Sequence, residues 1–409
     1  MPGAVMSRRT RLDAVVVGGG VVGAAAALAL TRCGLDVALV EAVDPARWDA
    51  DHPDLRVYAF APDSAALLDS FGVWSEVVRA RVQPYRRMRV WDAGGFGNVD
   101  SNELTFDADA FARRELGWIV EHGVLVDRLW SALPAAGVQL RCPARVEMLE
   151  QDDAGVRLQL DDGSRLDASI VIAADGAESS VRGLAGMTVE RHDYSQRAIV
   201  AYVATEQAHR DTAWQRFLPG GPLAVLPCPD TAGTPHGCRS SIVWTLPDED
   251  AARMLALDEA AFNDALTRAF DARLGAMTLL SARAAFPLRR QLVREFVQGR
   301  VLAIGDAAHV VHPLAGQGVN LGLRDVVALR ESILAARTAH AEWTSPSRLA
   351  RWARARKSDN ALAAHAFDAI NRGFGSDALL PTLLRGPLLG LAGRWPPITQ
   401  GLWGRASGI

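Results

Sequence analysis

The residues best placed to do chemistry follow three apolar runs. Val301 to Ile304 leads into Gly305-Asp306, a short loop with His and Pro, and then Gly316-Gln317-Gly318-Val319-Asn320. Such a run reads as a buried parallel strand. Asp306 then lies past a strand's carboxyl end, where open α/β sheets place ligands. At Gly316 and Gly318 a backbone could approach a flat ligand with no side chain in the way. Asp13 to Val17 leads into Gly18-Gly19-Gly20-Val21-Val22-Gly23. A helical pattern from Ala24 to Cys33 follows, then a strand from Val37 to Val40 that ends at Glu41. This is GxGxxG in its required setting of strand, turn, helix, strand and acid. Gly18 makes the tight turn, Gly20 lets the backbone reach a pyrophosphate, and Gly23 lets the helix pack on the strand, with Val22 in the same turn. The helix start offers N–H groups and partial positive charge to phosphates. Glu41, roughly 20 residues on, suits a ribose diol. Ser169 to Ala173 ends in a third junction, Ala174-Asp175-Gly176. Asp175 reads as a cofactor-side group or as a cap on the next helix.

The elements around these junctions must bring them together. Arg145 to Leu160 alternates apolar and polar residues around the turn 152–155, and Asp161-Asp162-Gly163 is a further turn. The stretch 187–290 differs in texture, with Gly220-Gly221-Pro222, Pro227 and Pro229, a strand-like run from Ser241 to Leu246, and one helical pattern from Leu257 to Leu274. It reads as a mostly antiparallel unit inserted between cofactor-binding segments. Val326 to Phe367 is helical and rich in Ala and Arg. The fold class expected is α/β: a Rossmann-like domain, an inserted mostly antiparallel α+β domain, and a helical C-terminus.

Composition narrows the class further. The chain has 409 residues, enough for two domains with real cores, and 49% hydrophobic and 22% charged residues are ordinary for a globular protein. A net charge of −3 gives no footing for nucleic acid. Lys357 is the only lysine, which reads as coding bias. Cys33, Cys142, Cys228 and Cys238 show no CxxC spacing, so reduced thiols and a cytoplasmic location are expected. No signal peptide is seen at the N-terminus. The apolar run Ala14 to Leu30 is short for a membrane span and carries three consecutive glycines near its start. His309 and His312 stand at i, i+3 with no carboxylate or third His nearby in sequence, so loop packing is preferred to a metal pair. Trp48 and Trp91 read as packing residues.

Taken in order, Gly18–Gly23, Ala174-Asp175-Gly176 and Gly305-Asp306 resemble the single-component flavin monooxygenases of the aromatic hydroxylase type, similar to p-hydroxybenzoate hydroxylase in fold. Closer still is the resemblance to the ubiquinone-biosynthesis hydroxylase family (UbiH/UbiF/UbiI type). It extends to Asp54-Leu55-Arg56-Val57-Tyr58-Ala59 with Phe71-Gly72-Val73-Trp74, to Leu116–Glu121, to Phe217–Pro219 with Gly221–Pro227, and above all to Gly305–His309 with His312-Pro313-Leu314-Ala315-Gly316-Gln317-Gly318-Val319-Asn320-Leu321-Gly322. It covers essentially residues 10–370. Two departures stand out. His122-Gly123 follows Glu121 where family members often carry Asn-Arg, and Gln215 replaces an acid common before the active-site strand.

The resemblance implies FAD, reduced by NAD(P)H and reacting with O₂ to a flavin C4a-hydroperoxide that hydroxylates an aromatic ring. It implies an FAD-binding domain from 10–75, 115–186 and 288–370, a substrate domain from 76–114 and 187–287, and a helical tail, 371–409. Gly18, Gly20, Val22, Gly23, Glu41, Arg56, Asp175, Gly305, Asp306, Pro313, Gly316, Gln317, Gly318, Val319 and Asn320 would contact FAD. Asp306 would bond its hydroxyls, Arg56 its pyrophosphate, and the 316–320 amides the anionic edge of the reduced flavin. Pro222, Leu223, Val225, Leu226 and Pro227 would wall the substrate from water. Because the flavin carries the chemistry, no catalytic side chain and no metal are assigned. The substrate expected is a polyprenylated phenol, with a small soluble aromatic or a non-oxygenating reductase as alternatives. The Leu-, Arg- and Trp-bearing tail can dock on the chain's own body, a membrane surface or a biosynthetic complex.

Overall fold

Two consecutive parallel pairings place the glycine turn at a sheet edge. In the computed structural model, which describes residues 11–92, 103–311, 318–375 and 404, the strand Leu12–Val17 pairs in parallel with Val37–Val40 on one side and Arg165–Ala173 on the other. Val301–Ala303 extends the sheet beyond Arg165–Ala173, and Gln139–Arg141 lies outside Val37–Val40, both in parallel. Leu12–Val17, Val37–Val40, Val301–Ala303 and the later part of Arg165–Ala173 are rich in Val, Ile, Leu and Ala and are buried on both faces, as central parallel strands under helices must be, whereas the edge strand Gln139–Arg141 is largely exposed. An antiparallel meander, Val146–Gln151 and Val156–Leu160, is added to the early part of Arg165–Ala173.

Parallel pairing gives the strands a common carboxyl edge. Neighbouring ends are knitted there: Gly18 N donates to Val40 O at 2.8 Å, Ala174 N to Val17 O at 2.8 Å, and Ile304 N to Ala173 O at 3.0 Å. The three junctions, far apart in sequence, are therefore neighbours. The expected strand at 301–304 ends at Ala303, and Gly305–Ala307 is a 3₁₀ turn. The helix after the glycine turn is Val21–Arg32, with Gly20 as its N-cap.

A second sheet is mostly antiparallel and collects Arg87–Asp92, Glu103–Asp107, the long strand Val189–Thr205, Thr212–Leu218, Gly221–Pro227, Arg239–Pro247, Met277–Leu279, Ala284–Val293 and His309–Val310. One pairing in it, Thr212–Leu218 with Arg87–Asp92, is parallel. Helices Asp248–Ala256 and Glu259–Ala269 cover one face, so the helical pattern expected over 257–274 is the second of two helices. Phe262, Leu266 and Phe270 pack there on Leu223, Val225 and Ile242, all fully buried. The opposite face turns to the first sheet through a small three-stranded sheet, Val57–Phe60, Gln83–Tyr85 and Gly117–Glu121. The C-terminal pattern resolves into helices Gly318–Thr338 and Pro346–Gly375. Apart from 371–375, which complete the last helix, and Gly404, the tail expected at 371–409 lies outside the described residues, as do His312, Pro313, Gly316 and Gln317.

Candidate functional site: a cleft from the glycine turn to the second sheet

A continuous cleft of about 960 Å³ runs from the common carboxyl edge of the parallel sheet to the face of the second sheet. The glycine turn forms one end. Gly18 has φ +104°, and a Cβ there would stand 2.3 Å from Ala174 O, so neither the conformation nor the space admits a side chain. A Cβ on Gly23 would stand 1.9 Å from Gly18 O. Gly20 is different: a Cβ there meets nothing within 4 Å, because the position faces the open cleft. Turn geometry, helix packing and ligand approach thus fall to separate glycines. Beyond Gly20, the first N–H groups of Val21–Arg32 lack intrahelical acceptors and carry the positive end of the helix dipole.

Glu41 lines the same end. Its Oε2 accepts from Gly19 N at 2.5 Å and its Oε1 from Val43 N at 3.1 Å. The carboxylate both braces the turn and faces the cleft. Trp130 Nε1 also donates to Gly19 O at 2.6 Å. Asp175 lines the cleft too, but its oxygens accept from Ser179 Oγ, from Ser180 Oγ at 3.2 Å and from Val181 N at 3.1 Å. Its carboxylate thus braces the first turn of the helix Ser180–Leu184, whose N-cap is Ser179.

At the middle of the cleft, Asp306 projects from the 3₁₀ turn with its side chain 45% exposed, and Arg56 Nη2 stands 3.9 Å from its Oδ2. Arg56 also lies over the Tyr58 ring at 5.2 Å, and Tyr58 Oη is 3.0 Å from His122 Nδ1. Burial, and secondarily Arg56, lowers the His122 pKa below its ordinary 6.5, and burial raises that of Tyr58. The imidazole is held neutral in a wall of the cleft. Sequence reasoning marked His122 only as a departure from a family pattern and did not single out Tyr58. Pairing of Val57–Phe60 with Gly117–Glu121 sets Tyr58 opposite Val120 and joins the two segments.

Gly318 and Val319 open the helix Gly318–Thr338 at the cleft wall, and a Cβ on Gly318 would meet nothing within 4 Å. Val22 lines the cleft and fills the notch between Gly305 and Gly322. The Asn320 side chain bonds to the protein itself: Oδ1 accepts from Ala61 N at 2.9 Å and Nδ2 donates to Ala59 O at 2.8 Å. Only its backbone is left for a ligand.

The far end of the cleft is apolar, formed by Leu55, Val57, Ala198, Val200, Leu226, Val243, Phe286, Leu288 and Val311. Of the five residues expected to wall it, only Leu226 lines it. Leu223 and Val225 point the other way, into the core under the two helices. The reason is the period of two: successive side chains in Gly221–Pro227 alternate between faces. Pro227 falls on the Leu223 and Val225 face. Pro222 shares the face of Leu226 but lies outside the cleft lining. Ala198 and Val200, spaced by two on Val189–Thr205, take up the wall instead.

A glycine turn of the dinucleotide type, the carboxylates of Glu41 and Asp306 and an apolar chamber in one cleft are the features of a flavoprotein oxidoreductase that also admits an organic substrate. Comparison with known proteins gives the particular family. A family model described as FAD binding domain matches residues 11–361. The chain is 37% identical over 373 residues to the 3-demethoxyubiquinol 3-hydroxylase of Escherichia coli (strain K12), covering 91% of each. It is 36% identical over 391 residues to the ubiquinone hydroxylase UbiL of Rhodospirillum rubrum, covering 95% of this chain and 87% of that one. The crystal structure of p-nitrophenol 4-monooxygenase PnpA from Pseudomonas putida DLL-E4 superposes with a TM-score of 0.75 at 22% identity, covering 97% and 98% of the two chains, and shares the fold. The chain belongs to the FAD-dependent hydroxylase family of ubiquinone biosynthesis. It is a flavoprotein monooxygenase, with NAD(P)H as reductant and O₂ as cosubstrate.

Proposed function

We propose that this chain hydroxylates the ring of a polyprenylated phenol on the way to ubiquinone. The observation that carries the proposal is the continuity of the cleft: the glycine turn, Asp306 and the apolar chamber around Leu226 share one space. The residues present fit FAD. Gly20 leaves open room beside a helix N-terminus where a pyrophosphate would be held, and Glu41 lines the same space, where it would meet a ribose. Asp306 accepts from flavin-side hydroxyls, and Arg56 offsets phosphate charge. The amides at the start of Gly318–Thr338 stabilise negative charge on the flavin edge. FAD, when bound, supplies the oxygen activation. The chain's own part is to orient the ring and exclude water. Ala198, Val200, Leu226, Val243 and Leu288 offer the ring a surface without competing hydrogen bonds.

The same reading keeps residues 76–114 and 187–287 as the substrate domain, since the sheet built on their described residues supplies most of that surface. Among the described residues no helix is long and apolar enough to cross a membrane. A polyprenylated substrate does not dissolve in water, so we place the enzyme at a membrane surface or in a biosynthetic complex, with the segment after Gly375 as the contact.

The test is genetic and chemical. A quinone-forming bacterial host is deprived of each of its own ring hydroxylases in turn, and this chain is expressed in it. One such strain should regain ubiquinone and lose its accumulated intermediate, identified by mass. The Asp306→Ala variant should not rescue it. Failure in every strain, with NAD(P)H oxidation by the purified enzyme stimulated instead by a small soluble phenol, would overturn the substrate assignment.

A further inference from the structure

The turn that presents Asp306 is held from behind by a buried carboxylate. Asp325, on the helix Gly318–Thr338, is 0% exposed. Its Oδ2 accepts from Gly305 N at 3.0 Å and from His309 Nε2 at 2.6 Å. Its Oδ1 accepts from Arg356 Nε at 2.7 Å and from Asn360 Nδ2 at 3.2 Å. One side chain therefore ties both ends of the 305–309 turn to a residue pair on the C-terminal helix. His309 is also fully buried, and its Nδ1 has no partner among the described residues. A carboxylate can only accept, so Nε2 of the ring carries the hydrogen and donates to Asp325. Phe296 stacks on that ring with centroids 6.2 Å apart. Arg356 supplies the counter-charge. Burial alone would raise the Asp325 pKa, but His309, Arg356 and the Gly305 N–H together hold it below its ordinary value.

Gly305, His309, Asp325, Arg356 and Asn360 do not line the cleft, whereas Asp306 opens into it. A buried ion pair is a poor stabiliser, because desolvation offsets its attraction and an apolar replacement often serves as well. What such a network does well is fix direction. Here it fixes a turn that begins at a left-handed residue, Gly305 at φ +57°.

We propose that Asp325 is a positioning residue for the cofactor: through Gly305 and His309 it aims Asp306 into the cleft, and through Arg356 and Asn360 it links FAD retention to the helix Pro346–Gly375. This rests on Asp306 as a cofactor partner.

The test is a double-mutant cycle on FAD affinity, read as quenching of flavin fluorescence on the purified full chain after removal of FAD. The Asp325→Asn variant replaces one acceptor oxygen with a donor, so the carboxamide cannot serve all four donors. Its FAD Kd should rise roughly 10- to 100-fold, by analogy with residues that orient metal ligands from behind. In an Asp306→Asn background the same change should have little further effect, since its route of action is gone. Arg356→Lys, which keeps the charge and loses the Nε donor, should give a smaller rise that also vanishes in that background. It is read in the same cycle if Asp325→Asn does not fold. Equal fold-changes in both backgrounds would show a merely structural role and overturn the inference. If Asp306→Asn weakens FAD binding but neither other variant does, the inference alone fails. If Asp306→Asn leaves the Kd unchanged, the role of Asp306 fails and the inference with it.

Discussion

Gly20 and Gly23 stand three residues apart in one turn, and the structure assigns them opposite kinds of work. A methyl group on Gly20 meets no protein atom within 4 Å, and the backbone there is at φ −66°, ψ −177°, which any residue adopts. Gly20→Ala should therefore leave the cofactor-free fold within about 1 kcal/mol of wild type, since the less flexible unfolded chain offsets the poorer N-cap. The methyl instead enters the cleft at the place where, on the proposed function, the pyrophosphate would lie. Displacing one charge-assisted hydrogen bond there costs about 1.5–3 kcal/mol, or about 10- to 100-fold in Kd. Gly23→Ala places its methyl 1.9 Å from Gly18 O, a backbone atom that cannot swing aside. Overpacking of that kind costs about 1–3 kcal/mol or more and should fall on the fold itself. Urea midpoints of the cofactor-free proteins and FAD titrations by fluorescence separate the two. Gly20→Ala should keep its midpoint and lose affinity, while Gly23→Ala should lose its midpoint. A Gly20→Ala protein that binds FAD like wild type, or unfolds as early as Gly23→Ala, would refute the division of labour.

Other outcomes are expected of the same geometry. Asn320→Ala removes two buried hydrogen bonds and leaves Ala61 N and Ala59 O unpaired, so stability should fall by about 2–4 kcal/mol; a variant with unchanged urea midpoint would contradict the clamp. Leu223→Ala should lower stability by about 2–5 kcal/mol while product formed per NAD(P)H oxidised stays normal, whereas Leu226→Ala should lower that ratio; the reverse pattern would mean the strand faces were misread. His122 is depressed below 6.5 by burial, so its neutral form is the one the fold favours. The stability it contributes is complete above the unfolded value and is lost as pH falls below it. Melting temperatures of the cofactor-free protein from pH 7.5 to 5.5 should fall more steeply for wild type than for His122→Asn; parallel curves would exclude His122 as a contributor.

Local chemistry carried much of this protein in its sequence. Gly18, Gly20 and Gly23 could be given separate roles because each role requires the absence of a side chain for a stated steric reason, and the distances agree. Val301 to Ala303, Leu12 to Val17 and Val37 to Val40 were legible as parallel strands because burial on both faces demands continuous apolar runs. The face of an alternating or wholly apolar strand was not legible. Leu223, Val225 and Leu226 are equally apolar, and only the helices packed against one side of their sheet decide which of them meets the cleft. Nor could the partners of polar groups be read. Asn320 reaches Ala59 and Ala61, and Asp325 gathers Gly305, His309, Arg356 and Asn360, across spans of chain that no local pattern measures. The dinucleotide-type turn and the steric work of Gly18 and Gly23 were readable in the sequence, since those constraints act within a few residues. Which polar groups open into the cleft and which hold their neighbours in place follows from the packing of distant segments, since a buried donor or acceptor takes whatever partner that packing brings within reach.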